Sequence, residues 1–140
     1  MPGTEEIAHK DLGVIRGFEM RAYIEYDSDT KPEHSECYSP EDVKAWDRNE
    51  WFFVSTTVEA SLLGIVLGTA HLGGSEYGES PGWEGKDINP LDGDGEQFVN
   101  GNGPDLINEA IAQAELTMGR LIDERTKLLT QAVQSPANGI

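Results

Sequence analysis

The segment Trp51-Phe52-Phe53-Val54-Ser55-Thr56-Thr57-Val58-Glu59-Ala60 is the strongest predicted strand in this sequence. It is aromatic and β-branched over most of its length, which is typical of a β-strand. Alternate residues of a strand point to opposite faces, so one face would carry Phe52, Val54, Thr56, Val58 and Ala60. A turn at 61–64 and a second apolar run at 65–72 predict an antiparallel hairpin.

The flanking segments complete an α+β fold. Upstream, residues 18–26 alternate between apolar and polar side chains, which predicts a strand. Ser39 followed by Pro40 and two acids predicts a short helix over about 40–48. Downstream, apolar residues recur at helical spacing from 104 onward. We therefore expect a small three-stranded antiparallel sheet with a short helix, a long Gly-rich loop over 73–103 and a long C-terminal helix.

The predicted domain occupies residues 17–134, between a flexible N-terminal arm at 1–16 and a flexible C-terminal tail at 135–140. The C-terminal helix would be longer than the sheet that it crosses. Its second half, Leu121–Val133, is therefore a candidate surface for a homodimer or another partner. The alternative is that the helix breaks near Gly119, because glycine destabilises a helix interior by about 1 kcal/mol relative to alanine.

Composition excludes several functional classes. The chain has 140 residues and a formal net charge of −16, so it would repel nucleic acids and anionic membranes. It contains no apolar run long enough to span a membrane and no signal-peptide pattern. Its single cysteine, Cys37, excludes an internal disulfide and a multi-cysteine zinc site. We expect a soluble protein of a reducing, cytoplasmic compartment.

The negative charge is concentrated in two segments. Residues 25–50 and 74–105 hold 17 of the 26 acidic residues. Such segments can form a surface for a basic groove on another protein, and nucleic-acid mimicry is one form of that interaction. The alternative is that the acidic loops only keep the protein soluble. The candidate partner-binding residues are Trp83, Glu84, Asp87, Asp92, Asp94, Glu96, Glu41, Asp42 and Asp47.

The run Asp92-Gly93-Asp94-Gly95-Glu96 places oxygen ligands at alternate positions of a flexible turn, a pattern that suits Ca²⁺. Asp92, Asp94 and Glu96 are the candidate ligands. The run departs from an EF-hand loop at Gln97 and Gly103, where glycine and glutamate are required. A plain acidic turn is the alternative, and we expect no other cofactor.

No catalytic motif is present, so the sequence favours a non-enzymatic binding protein. A protein with a basic surface is the expected partner. A second hypothesis is a small-ligand protein, such as one that binds a signalling nucleotide, with Lys86, Arg120 or Arg125 in the pocket. A third is a structural protein.

The segment Tyr38-Ser39-Pro40-Glu41-Asp42-Val43-Lys44-Ala45-Trp46, followed by Glu50-Trp51 and the hairpin, resembles small uncharacterised acidic proteins of actinobacteriophages. The similarity spans about 38–110 and concerns structural motifs, so it assigns no site residues. At Leu72-Gly73-Gly74 the sequence departs from the bulkier, Trp-containing strand end of those proteins. The resemblance implies a phage-encoded accessory protein that acts in the cytoplasm of the bacterial host. The expected partner is then a host or defence protein with a basic surface, and the structural alternative includes a virion-associated protein.

Overall fold

The computed structural model describes residues 5–32, 36–84 and 86–134. Within these described residues, five strands form one antiparallel sheet in the order of the chain. Two helices and two 3₁₀ segments of the same residues complete the α+β fold. The strands are β1 Glu6–Ile15, β2 Phe18–Tyr26, β3 Trp51–Leu62, β4 Ile65–Glu79 and β5 Asp87–Ile88; the helices are α1 Pro40–Asp47 and α2 Gly103–Gln134.

The prediction of three strands was wrong at both edges of the sheet. The segment assigned to a flexible arm contains β1, which pairs with β2 through two register shifts, one of them between Asp11 and Gly13. Bulges break the alternation of apolar and polar residues that marks a strand, so β1 has no period-2 pattern. The predicted tail at 135–140 lies outside the described residues.

The second error concerns the Gly-rich segment, which contains the edge strand β5 and whose first seven residues continue β4. The strand passes Gly73 and Gly74 through a bulge and stays paired with β3 as far as Gly78. The carboxylate of Asp27 holds this bulge, since its Oδ2 accepts from the Gly74 amide at 2.8 Å and from Thr30 Oγ1 at 2.8 Å. The rest of the segment packs on the body through buried Leu91, Phe98 and Val99.

The main core lies between one face of the sheet and the first half of α2. Gly68 of β4 allows the closest approach, because a Cβ there would lie 2.1 Å from the Ala110 carbonyl oxygen and 2.5 Å from the Ala114 nitrogen. The Gln113 side chain also accepts from the Thr69 amide of β4 at 2.6 Å. The helix is thus fixed to β4 by backbone contact and by a hydrogen bond.

The second half of α2 projects beyond the sheet. The helix is continuous through Gly119, so the predicted alternative of a break there was wrong. Residues 119–131 are all exposed. The predicted long C-terminal helix is confirmed, and its use as a dimer surface stays a prediction.

A second, smaller cluster lies on the opposite face of the sheet, at the end where β3 begins. Helix α1 packs there against Trp51 and Phe53, which are buried together with Ala45. The predicted short helix is therefore confirmed within one residue. This cluster anchors α1 and the turn that contains Trp83.

Candidate protein-binding surface

Asp42 joins α1 to the turn that follows β4. Ser39 caps the helix, and the Asp42 side chain accepts in return from the Ser39 amide at 3.2 Å. The same carboxylate also accepts from the Ser80 hydroxyl and from the Gly82 amide, the latter at 3.0 Å. The Ser80 hydrogen bond, supported by the amides of Ser39 and Gly82, lowers the pKa of Asp42 although burial opposes this shift.

This geometry corrects the assignment of Asp42 to the partner surface. The residue is only 7% exposed and its oxygens bind donors of the same chain. Its role is structural: it ties α1 to the Pro81–Trp83 3₁₀ turn and so brings two acidic segments to one end of the molecule.

Trp83, the predicted partner anchor, packs edge-on against Trp51 with ring centroids 5.3 Å apart. It is half-buried and belongs to the second cluster, where Tyr38 lies 5.1 Å from Trp51 on the same measure. Trp51 is fully buried and donates from Nε1 to the Asp42 carbonyl at 2.8 Å. Packing in the second cluster therefore buries part of the Trp83 side chain. The exposed part lies beside the turn between β4 and β5.

Three carboxylates surround one depression at this end of the sheet. Glu50, Glu79 and Asp87 line it together with Ser80 and Pro81. Strand pairing assembles the three: the Glu79 amide donates to the Glu50 carbonyl at 3.0 Å, and Glu79 pairs with Asp87 across β4 and β5.

A neighbouring depression extends the surface, since it is lined by Asp87 and Asp92. We define Glu50, Glu79, Asp87 and Asp92 as the acidic rim. Of these four carboxylates, only Glu50 has a cationic partner in the described part of the chain: Arg48, at 2.7 Å. The rim therefore keeps most of its negative charge. The sequence singled out Asp87 and Asp92 but missed Glu50 and Glu79, which only strand pairing brings to them.

The remaining predicted acids surround the rim or lie apart from it. Glu41 and Asp47 are exposed on α1, and Glu84 is exposed in the turn between β4 and β5. Glu96 is exposed in the 3₁₀ segment Gly95–Gly101. Asp94 is partly neutralised, because Lys10 Nζ lies 3.2 Å from its Oδ1.

Lys10 also explains why the described residues give no support to the calcium prediction. Its ammonium donates to the carbonyl oxygens of Leu91 and Gly93 at 3.1 and 2.6 Å, and it lies 5.1 Å from the Phe98 ring centroid. The ammonium thus places a positive charge inside this turn and beside Asp94, one of the three predicted ligands. In the part of the chain that the structure describes, no three acidic, histidine or cysteine side chains form a metal-binding group.

A second acidic group follows β2. Glu25, Asp27 and Asp29 line a depression beside Ser55 and Gly73. Asp27 is the constrained member: partial burial opposes ionisation, but hydrogen bonds from Thr30 Oγ1 and from the Gly74 and Asp29 amides outweigh it and lower the pKa of Asp27. The sequence assigned these acids to a charged segment without identifying the structural role of Asp27.

The open face of the sheet carries a row of polar residues that the sequence did not single out. His9, Tyr23, Thr57 and His71 pair in turn across β1 to β4. Thr57 Oγ1 lies 2.9 Å from His71 Nδ1, the geometry of a hydroxyl beside a base. Thr57 is only 1% exposed, however, so a substrate cannot reach its hydroxyl in this structure.

No helix among the described residues is long and apolar enough to cross a membrane. In comparisons with protein-family models, with curated proteins and with solved structures, no match to this chain was found.

Proposed function

We propose that this chain is a non-enzymatic binding protein that docks its acidic end onto a basic surface of another protein. The observation that carries the proposal is the acidic rim, where four carboxylates line two adjoining depressions and only one has a cationic partner among the described residues. Uncompensated charge on a supported surface is the feature that electrostatic docking uses.

The surrounding structure supports the same reading. Asp42 and the aromatic cluster fix α1 and the turn after β4, so Glu41, Asp47 and Glu84 are carried by anchored backbone. A fixed array of like charges loses little conformational freedom when it binds, so it can bind with higher affinity than a flexible acidic tail. The expected partner surface is rich in lysine and arginine, as are surfaces that bind nucleic acid.

The resemblance to acidic phage proteins narrows the partner class. We infer a host or defence protein of the bacterial cytoplasm, whose nucleic-acid-binding surface the acidic end would cover. Binding of this kind would inhibit or redirect the partner through occupancy, without a chemical step.

The test compares two double charge reversals that change the net charge equally. The rim variant is Glu79→Lys with Asp87→Lys, and the control is Glu109→Lys with Glu115→Lys. All four residues are exposed, and none has an ion-pair partner among the described residues. Each protein is immobilised, exposed to an actinobacterial lysate at low salt and eluted at high salt.

We expect one partner that the native chain and the control retain and the rim variant loses. With that partner purified, the rim variant should associate at least about 10-fold more slowly than the control, because rim charges act mainly on the association rate. Double-stranded DNA should compete with the native chain. Equal association by both variants would refute the proposal, and retention of a small molecule without a protein would favour the ligand-binding alternative.

A further inference from the structure

The apolar stripe of α2 does not stop where the sheet stops. In the first half of the helix, Ile107, Ala110, Ile111, Ala114 and Met118 contact the main core. The same helical spacing continues through Leu121, Ile122, Arg125, Leu128 and Leu129. In this second half the apolar members are 51–62% exposed, and nothing in the described part of the chain covers them.

The stripe is symmetric about Arg125. Leu121 and Ile122 lie four and three residues before Arg125, and Leu128 and Leu129 lie three and four residues after it. A two-fold axis at Arg125 therefore brings Leu121 of one copy onto Leu129 of the other, and Ile122 onto Leu128. A surface that is complementary to itself is what an isologous dimer requires.

The distribution of charge also favours a second copy of the chain as the partner, with the two helices antiparallel. Residues 119–134 contain three basic and two acidic side chains, whereas the whole chain has a net charge of −16. With the axis at Arg125, an antiparallel pair places the two acidic bodies at opposite ends of about 21 Å of helix, more than twice the Debye length of about 8 Å at physiological salt. A parallel pair would set them side by side.

The centre of the antiparallel pair is electrically balanced. Each copy has Glu124 next to Arg125, so the two-fold axis brings two arginines and two glutamates together. A lone pair of facing arginines would oppose association. Glu124 also pairs with Lys127 at 3.9 Å, and with Asp123 included the charges of residues 123–127 sum to zero in each copy.

We propose that the chain forms an antiparallel homodimer through residues 118–131 of α2, with its two-fold axis at Arg125. The contact is a single pair of short helices, which places it at the small end of stable interfaces. We therefore expect a dissociation constant of roughly micromolar order. This inference does not depend on the proposed docking of the acidic end.

The first experiment is sedimentation velocity of the full chain from low-micromolar to submillimolar concentration. Leu128→Glu places a charge in the proposed contact and should raise the dissociation constant about 100-fold. Leu116→Glu is the control, because Leu116 is 62% exposed on the opposite side of the same helix and should leave dimerisation unchanged. Circular dichroism of both variants verifies that α2 remains helical.

The second experiment fixes the direction of the pair. Leu121→Cys and Leu129→Cys are made separately in a Cys37→Ser background and oxidised alone or mixed. Cysteines bridge only when their Cα atoms are within about 7 Å, so the antiparallel pair predicts a disulfide in the mixture and none in either protein alone. Any one of three results would overturn the proposal: a monomer at the highest concentration, equal effects of the two glutamate variants on dimerisation, or disulfides in each cysteine variant alone.

Discussion

Replacing Gly68 by alanine tests the close contact between β4 and α2. The added Cβ would lie 2.1 Å from the Ala110 carbonyl oxygen and 2.5 Å from the Ala114 nitrogen. Both are backbone atoms, so no change of rotamer can relieve the contact. Helix α2 would have to move away from β4 by more than an ångström to restore an ordinary van der Waals distance.

The expected cost follows from what that movement separates. Overpacking a core typically costs about 1–3 kcal/mol, and we expect the upper end of that range because the obstacle is backbone on both sides. Displacing the helix would also loosen Leu106 and Ile111, which are buried against the sheet. For a chain of this size, a loss of about 3 kcal/mol lowers the melting temperature by roughly 10 °C.

The same substitution at Gly119 is the matched control. No atom lies within 4 Å of a Cβ at this position, and the residue is exposed within α2. Alanine is a better helix former, so Gly119→Ala should raise the free energy of unfolding by up to about 1 kcal/mol. The two identical chemical changes are therefore expected to have opposite signs.

Urea denaturation followed by tryptophan fluorescence and by circular dichroism measures both variants. Trp51 is fully buried, so its emission reports loss of the fold. If Gly68→Ala were no more destabilising than Gly119→Ala, α2 would not pack on β4 as described, and the reasoning that places the core would fail.

Three further predictions concern the site. Asp42→Asn should lower the free energy of unfolding by about 2–3 kcal/mol, because it removes the charge from a carboxylate that accepts several hydrogen bonds. In the same urea assay, Asp47→Asn at an exposed position should change the free energy of unfolding by less than about 0.5 kcal/mol. The pKa values of Asp42 and Asp27 are lowered in the fold, so these two residues stabilise it fully above the unfolded pKa of about 3.9. This stabilisation is lost as pH falls through their folded pKa values. Melting curves at decreasing pH should show the loss, and Asp42→Asn should show a smaller one. Calcium and chelator should leave the melting temperature unchanged, because Lys10 binds the turn carbonyls. Lys10→Met should lower the free energy of unfolding by about 1 kcal/mol. A melting temperature of the native chain that rises with calcium would contradict this assignment.

The parts of the fold that the sequence predicted are those whose signal is local and periodic. The strand at Trp51–Leu62, the capped helix at Pro40–Asp47 and the long C-terminal helix all follow from spacing and capping residues. The first strand and the end of β4 were missed because their bulges interrupt the alternation. At β4 the compensating contact comes from Asp27, which is distant in sequence and carries no local signal.

The candidate surface shows the same limit for charged residues. Asp42 was correctly read as a helix-start residue, but its bonds to Ser80 and Gly82 depend on tertiary structure, and they bury it. Glu50 and Glu79 joined the rim only through strand pairing. Acidic composition therefore predicted that a charged surface would exist, while the choice of members required the register of the sheet.

The two proposals together assign different tasks to the two ends of the molecule. The acidic rim lies at the end where β3 begins, and α2 leaves the sheet beyond Met118 with its apolar stripe uncovered. An antiparallel dimer would carry two rims far apart, so a partner with repeated basic surfaces would be bound at two points. Bivalent binding of this kind can exceed the affinity of one rim by about 100-fold or more. Leu128→Glu would then weaken binding to such a partner without altering any rim residue. A monomeric partner with one basic surface would bind the native chain and the Leu128→Glu variant equally.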